Sequence, residues 1–438
     1  MWIEEITLEN IKCFDRTVIA FKQNKDRAPW VTLLSENGGG KTTILQSIAL
    51  MLAGPEVASQ LLPRPTGWLR QENKPGKISC RLHKEDSDSG VFGTGKVRNV
   101  FGYSIHATGD EPVTIRGKSY SQPGLHESGD KALSWLRQNA FSSQSRGWFA
   151  AGYGAFRRLT RRSQVIVPTM QVPSRFTNFS TQFFEDEGLA AFENWLIYLD
   201  YREAKGQASR LKEMSVEAVN GLLPHGARFH SIDANGRILF DIGGEKVPTF
   251  ALSDGYRSVL ALAGDLVWRL ITSFPDMDEP LNAKGVVLID ELDIHLHPLW
   301  QRDIAGWLRS RFPNLQFIVT THSPMVAAGA GEDALTLRVN KGAIETLPVG
   351  RNLFAMDVED ILKSEAFGLV STYSPDMQKK LDRFALLSEK GGRKTPVEFA
   401  DFVQLSLFFG EVNPFGIEGL PTPLERKIDD FLKKKLKP

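Results

Sequence analysis

Gly285-Val-Val-Leu-Ile-Asp290-Glu291 is an apolar run that closes on two acids. A helical pattern follows at 298–311, then a second apolar run from Leu315 to Thr320, then Thr321-His322-Ser323-Pro324. Trp300, Ile304, Trp307, Leu308 and Phe312 recur at helical spacing, so one face of that helix packs on a sheet. Strand, helix and strand in succession return the chain beside its starting strand in the same direction, which specifies a parallel sheet with helices on its faces. The expected fold class is therefore α/β. Ligands in such sheets bind at the carboxyl ends of the strands. The two acids and His322 fall at that edge, where Asp290 suits a Mg²⁺ shell, Glu291 suits a base acting on water, and His322 suits contact with a terminal phosphate.

Upstream, Leu33-Leu-Ser35-Glu-Asn37-Gly38-Gly39-Gly40-Lys41-Thr42-Thr43 carries a buried strand through a glycine loop into a helix. Consecutive glycines let backbone N–H groups curl around phosphate oxygens, and the helix start adds partial positive charge. Asn37, Gly38, Gly39, Gly40, Lys41, Thr42 and Thr43 are the expected phosphate-facing set. Lys41 reaches the outer phosphates and the Thr42 hydroxyl faces Mg²⁺. The pattern G-x-x-x-x-G-K-[ST] is met except at its first glycine, where Ser35 stands. Asp290, Glu291, Asp293, His295 and His297 also fit a zinc- or manganese-ligand run. Pro298 at a helix start gives the two histidines a structural reading instead.

The 438 residues are 42% hydrophobic, enough for a substantial core. With 53 Lys+Arg against 52 Asp+Glu, no global field drives the chain onto nucleic acid or an anionic membrane. Cys13 and Cys80 are too few for a disulfide scaffold, which with an acidic, alternating start and no long apolar run suggests a cytoplasmic protein without membrane partners. Short strands are expected near Ile3–Ile11 and Val18–Phe21, a helix from Thr42 to Leu52 ending at Gly54-Pro55, hairpins between 60 and 130, and a strand at 148–153. Helices are expected over 190–223 and 256–273, and alternation marks 229–242. Arg157, Arg158, Arg161 and Arg162 form the strongest local basic patch, as suited to nucleic-acid phosphate as to a solvated face.

Phe250-Ala-Leu252-Ser253-Asp254-Gly255-Tyr256 opens the helical pattern at 256–273, and Ser253 with the N–H groups behind it forms a second anion site. In combination with the glycine loop this segment resembles the L-S-G-G-Q signature of ATP-binding-cassette ATPases, departing from it at Asp254 and Tyr256. The motif order resembles the branch holding RecF, the structural-maintenance-of-chromosomes heads and the overcoming-lysogenisation-defect ATPases. Leu288-Ile-Asp-Glu-Leu-Asp-Ile-His-Leu-His-Pro-Leu-Trp-Gln301 with Thr-Thr-His-Ser-Pro is similar to ATPases of bacterial antiphage systems such as Septu (PtuA) and PARIS.

That resemblance implies an ABC-ATPase head of mixed and parallel sheet flanked by helices. Its parts are an N-terminal lobe (1–157), a largely helical inserted arm or lid (158–248), a C-terminal lobe (249–349) and a helical extension (350–438) that docks a partner. It implies ATP and Mg²⁺ as cofactors, with Lys41, Thr42, Asp290, Glu291 and His322 in nucleotide, metal, base and switch roles. Ser253 and Gly255 of one protomer then serve the nucleotide of another in a homo-oligomer of face-to-face dimers. Residues 350–438 offer acids without the strands that a metal nuclease requires, so destructive chemistry is expected on a separate effector, with DNA or a phage component as a further partner. The competing expectation is a RecF-like repair or replication ATPase that clamps DNA.

Overall fold

In the computed structural model the described residues are 1–23, 26–27, 29–90, 99–115, 118–142, 145–155, 173–184, 191–206, 210–221, 223, 226–340, 342–347 and 353–412. The basic run at 157–162 and residues 413–438 lie outside them.

The chain opens with β1 (Trp2–Ile11), β2 (Phe14–Ala20) and the short β3 (Lys22–Gln23) and β4 (Asp26–Arg27), before β5 (Trp30–Leu34) runs into α1 (Lys41–Ala53). Gly54 at φ 89° ends α1, and Pro55 immediately starts α2 (Pro55–Leu61), since proline suits the first helical position. Next come β6 (Gly76–His83), β7 (Val100–Ile115), β8 (Lys118–Glu127), α3 (Lys131–Asn139) and β9 (Phe149–Tyr153). The segment expected to be largely helical supplies α4 (Arg175–Phe179), α5 (Ala191–Ala204) and α6 (Arg210–Asn220), but then ends as an antiparallel meander, β10 (Arg228–Ile232), β11 (Ile238–Ile242) and β12 (Glu245–Pro248). Turn residues Asp233 and Asp241 accept backbone N–H groups there, which favours hairpins over helix.

The remaining elements of the first unit are α7 (Asp254–Ser273), β13 (Gly285–Ile289), α8 (Pro298–Arg311), β14 (Leu315–Thr320), α9 (Pro324–Gly329), β15 (Leu335–Asn340), β16 (Ala343–Thr346) and α10 (Val358–Lys363). A central sheet has the order β16-β15-β5-β14-β13-β9, parallel except at β16. Every residue of β5, β13 and β14 is buried, because both faces are covered. Alternate side chains feed two cores: Val287, Ile289, Phe317 and Val319 join α7 and α8 on one side. Val286, Leu288, Ile318, Val31 and Leu33 join α1 and the antiparallel sheet β2-β1-β6-β7-β8 on the other.

Residues 1–367 form one compact unit and the chain from Gly368 another. Within the first, Leu353, Ile361 and Ala366 pack with Leu34 and Ala327, so the segment just after 350 belongs to the head. In the second, α11 (Pro375–Glu389) and α12 (Pro396–Val412) share a small core of Leu381, Phe384, Leu387, Leu405 and Phe409. Phe384 stacks on Phe402 with centroids 5.2 Å apart. Val397, Phe399, Val403 and Leu407 of α12 are exposed. Among the described residues no helix is long and apolar enough to cross a membrane.

Candidate active site

The carboxyl ends of β5, β13 and β14 lie side by side, and each delivers one part of the expected constellation. From β5 the chain enters the glycine loop. Gly38 (φ 76°) and Gly40 (φ 101°) adopt left-handed conformations that favour glycine. A Cβ on Gly40 would lie 2.6 Å from Cys13 Sγ, in the turn between β1 and β2, and one on Gly39 would lie 2.6 Å from Ser35 Oγ. Ser35, the departure from the usual pattern, is therefore accommodated by the glycine packed against it. Its hydroxyl is used: it donates to the Glu36 carbonyl (2.8 Å) and accepts from Lys41 Nζ (3.0 Å).

Lys41 is only 6% exposed. Its Nζ also donates to the Ser35 carbonyl and lies 3.0 Å from His322 Nε2, joining residues 281 positions apart. An ammonium has no lone pair, so Lys41 can only donate in that contact. Burial pushes the Lys41 amine down from its ordinary value, and the carboxylates of Asp290, Glu291 and Asp293 oppose that shift. Thr42 is exposed at the helix start, whereas Thr43 faces the interior; Asn37 and Gly38 are exposed.

Thr320, the last residue of β14, organises the two acids. Its hydroxyl donates to Asp290 Oδ1 (2.5 Å) and accepts from the Glu291 N–H (2.7 Å). The Asp290 N–H donates to the Tyr153 carbonyl of β9 (2.8 Å). Glu291 has φ 46° and His295 φ 64°, left-handed values that cost a non-glycine residue about 1–3 kcal/mol each and cluster at functional sites. The turn they frame aims Asp293 back at β14, where its Oδ1 accepts from Thr321 Oγ1 (2.5 Å) and from the His322 N–H (3.2 Å). Asp293 thus holds the loop that presents His322. His297 accepts the Leu299 N–H at the start of α8 (3.3 Å), a helix-capping role. Among the described residues no group of three His, Cys, Asp or Glu gathers as a metal site, so the alternative ligand run at 290–297 is not assembled.

Ser253 precedes α7 in an extended conformation, and its exposed hydroxyl makes no capping hydrogen bond. Gly255 packs tightly: a Cβ there would lie 3.0 Å from the Trp300 ring and 3.1 Å from the His295 carbonyl. Tyr256 meets Trp300 edge-on at 4.7 Å. The segment 252–256 is thereby seated against the loop that follows the acids. Thr320 and Asp293 were not foreseen in these roles. A threonine closing an apolar strand, one position before Thr-His-Ser, was the available signal for the first.

Residues 129–328 match the family described as "AAA domain, putative AbiEii toxin, Type IV TA system", and residues 5–142 match one described as "AAA domain". The chain is 27% identical to Septu protein PtuA of Bacillus mycoides (strain KBAB4), over 88% of this chain and 47% of that protein. It is 34% identical to the Retron Vc95 probable ATPase of Vibrio cholerae serotype O1 biovar El Tor, over 34% of this chain and 29% of that protein. Among solved structures, the Smc head bound to the C-winged helix domain of ScpA aligns with a TM-score of 0.48 and 17% identity, covering 79% of this chain and 98% of that one. The chain spans about half the length of the Septu relative.

Asp293→Ala removes both hydrogen bonds that hold the 321–322 turn and is expected to destabilise the first unit by about 1–3 kcal/mol. Asp293→Asn keeps an acceptor oxygen at the same place and is expected to stay within about 1 kcal/mol of the parent. Urea unfolding of the three proteins checks this, and an alanine variant as stable as the parent refutes it. By sequence likeness the chain is similar to Septu protein PtuA and to a retron probable ATPase, and both of its lobes match AAA domain families.

Proposed function

We propose that this chain binds ATP with Mg²⁺ and hydrolyses it, as a regulatory ATPase that controls a separate effector, a nuclease by the resemblance, in antiphage defence. The observation that carries the reading is the meeting of Lys41, Asp290, Glu291 and His322 at one sheet edge, with Lys41 Nζ 3.0 Å from His322 Nε2.

The residues present fit the nucleotide and its metal. The glycine loop curls at left-handed Gly38 and Gly40, and the buried Lys41 amine lies in the field of three carboxylates. Thr42 and Asp290 would hold Mg²⁺, which supplies charge neutralisation at the phosphates when bound. Lys41 binds and orients the outer phosphates, giving up its Ser35 contacts to do so. Glu291, on a backbone fixed by Thr320, takes a proton from the attacking water. His322 offers its ring at the terminal phosphate, on a turn tied to Asp293. Ser253 and Gly255 act across a face-to-face dimer on the partner's nucleotide, with the Ser253 hydroxyl free of a cap for that contact.

Lys41→Ala is expected to abolish binding of labelled ATP. Glu291→Gln is expected to keep binding and lose hydrolysis by about 10² to 10⁴-fold. Normal turnover by the glutamine variant removes Glu291 from the mechanism.

Ser253→Arg is expected to spare ATP binding and block hydrolysis. Mixed with Lys41→Ala protein it regains part of the activity, because one composite site is then intact. Absence of rescue across mixing ratios argues against the facing arrangement.

The exposed Phe399, Val403 and Leu407 give the second unit an apolar stripe suited to holding the effector. Phe399→Asp with Leu407→Asp in the full chain is expected to abolish co-purification of the neighbouring gene product while leaving ATP hydrolysis unchanged. Full-stoichiometry capture by that variant moves the docking surface elsewhere.

A further inference from the structure

A buried polar cluster of Asp265, Tyr153, Arg269 and Asn178 lies outside the site just described. Asp265, on α7 and fully buried, accepts at Oδ2 from the Tyr153 hydroxyl (2.9 Å) and from Arg269 Nε (2.5 Å). Arg269, 4% exposed, also donates from Nη1 to Asn178 Oδ1 (2.5 Å), and Asn178 Nδ2 donates to the Ala150 carbonyl of β9 (2.9 Å). Burial, followed by the Asp265 charge, holds the Tyr153 phenol well above its ordinary value, so it stays a donor.

Tyr153 belongs to two neighbourhoods at once. Its side chain is bound to α7, the helix that begins at Ser253 and Asp254. Its carbonyl accepts the N–H of Asp290, at the head of the pair of acids. Asp265 lies three turns along α7 from Ser253, about 18 Å at 1.5 Å per residue, on a continuous helix. A displacement of the helix start therefore reaches Tyr153 through one carboxylate, and Asp290 through the same residue's backbone. Stability alone is a weak reason for this arrangement, since a buried ion pair is commonly matched or exceeded by well-packed apolar groups of similar volume.

Resting on the ATPase reading above, we propose that Asp265, Tyr153 and Arg269 are positioning residues that couple the segment at 252–256 to the placement of Asp290 and Glu291. Engagement of Ser253 by a facing protomer then sets the acids for hydrolysis.

Two variants of the full chain test the coupling. Tyr153→Phe removes only the hydroxyl. Asp265→Leu with Arg269→Met replaces the ion pair by apolar side chains of similar size and so guards against simple loss of folding. Each is expected to bind labelled ATP within twofold of the parent, to keep KM, and to lose kcat about tenfold. The discriminating measurement is a cycle with Ser253→Ala. If the relay carries the effect of Ser253, the Tyr153→Phe and Ser253→Ala double variant loses about tenfold rather than the hundredfold of independent sites. Multiplying losses, or an undiminished kcat in both relay variants, overturn the proposal. Parent protein that hydrolyses no faster than Glu291→Gln overturns instead the ATPase reading on which it rests.

Discussion

The ammonium group of Lys41 has to sit almost out of water, and that requirement governs the crevice. Removing a cation from solvent costs several kcal/mol unless opposite charge and hydrogen bonds compensate it. Here the compensation is assembled from distant parts of the chain: two oxygens of Ser35 on the same loop, and the carboxylates that follow β13. Those groups meet only if β5 and β13 point the same way and stand one strand apart. The strand between them is β14, whose end supplies Thr320 and His322. The order β5-β14-β13 is thus the arrangement that lets a buried amine and the acids after β13 coexist.

Covering both faces of that sheet explains the rest of the first unit. Residues alternate between two cores along each central strand, so each face needs its own layer. Helices α7 and α8 form one and α1 with the antiparallel sheet forms the other. The layers are not passive, since α7 carries Ser253 at its start and Asp265 in its buried middle.

Elements buried on both sides were the most legible. β13, α8 and β14 fall on the expected 285–289, 298–311 and 315–320, because a short apolar run closed by two acids, a proline-started helix and a second apolar run leave little latitude. The glycine loop, the acids and His322 were legible for a related reason: their chemistry requires particular residue types at particular spacings. Pairings that depend on distant partners were not. The sheet β2-β1-β6-β7-β8 unites strands separated by loops, and sequence showed only hairpin-like alternation there. The meander at 228–248 lies within the arm expected to be largely helical, although alternation over 229–242 and the turn residues Asp233 and Asp241 mark it. Asp265 and Arg269 interrupt an otherwise apolar helix four residues apart, a signal visible in the sequence whose partner Tyr153 lies 112 positions away.

Thr320 restricts what its position can become. The hydroxyl has one proton and spends it on Asp290, and its lone pair receives the Glu291 N–H. Valine would match the shape and lose both bonds. Serine would keep the bonds but forfeit the methyl group in a strand with no spare volume. Asparagine is too long for the space between two strands. The position therefore admits one side chain fully and one partly. A substitution census there would be narrower than at either acid's apolar neighbours, where size alone is constrained.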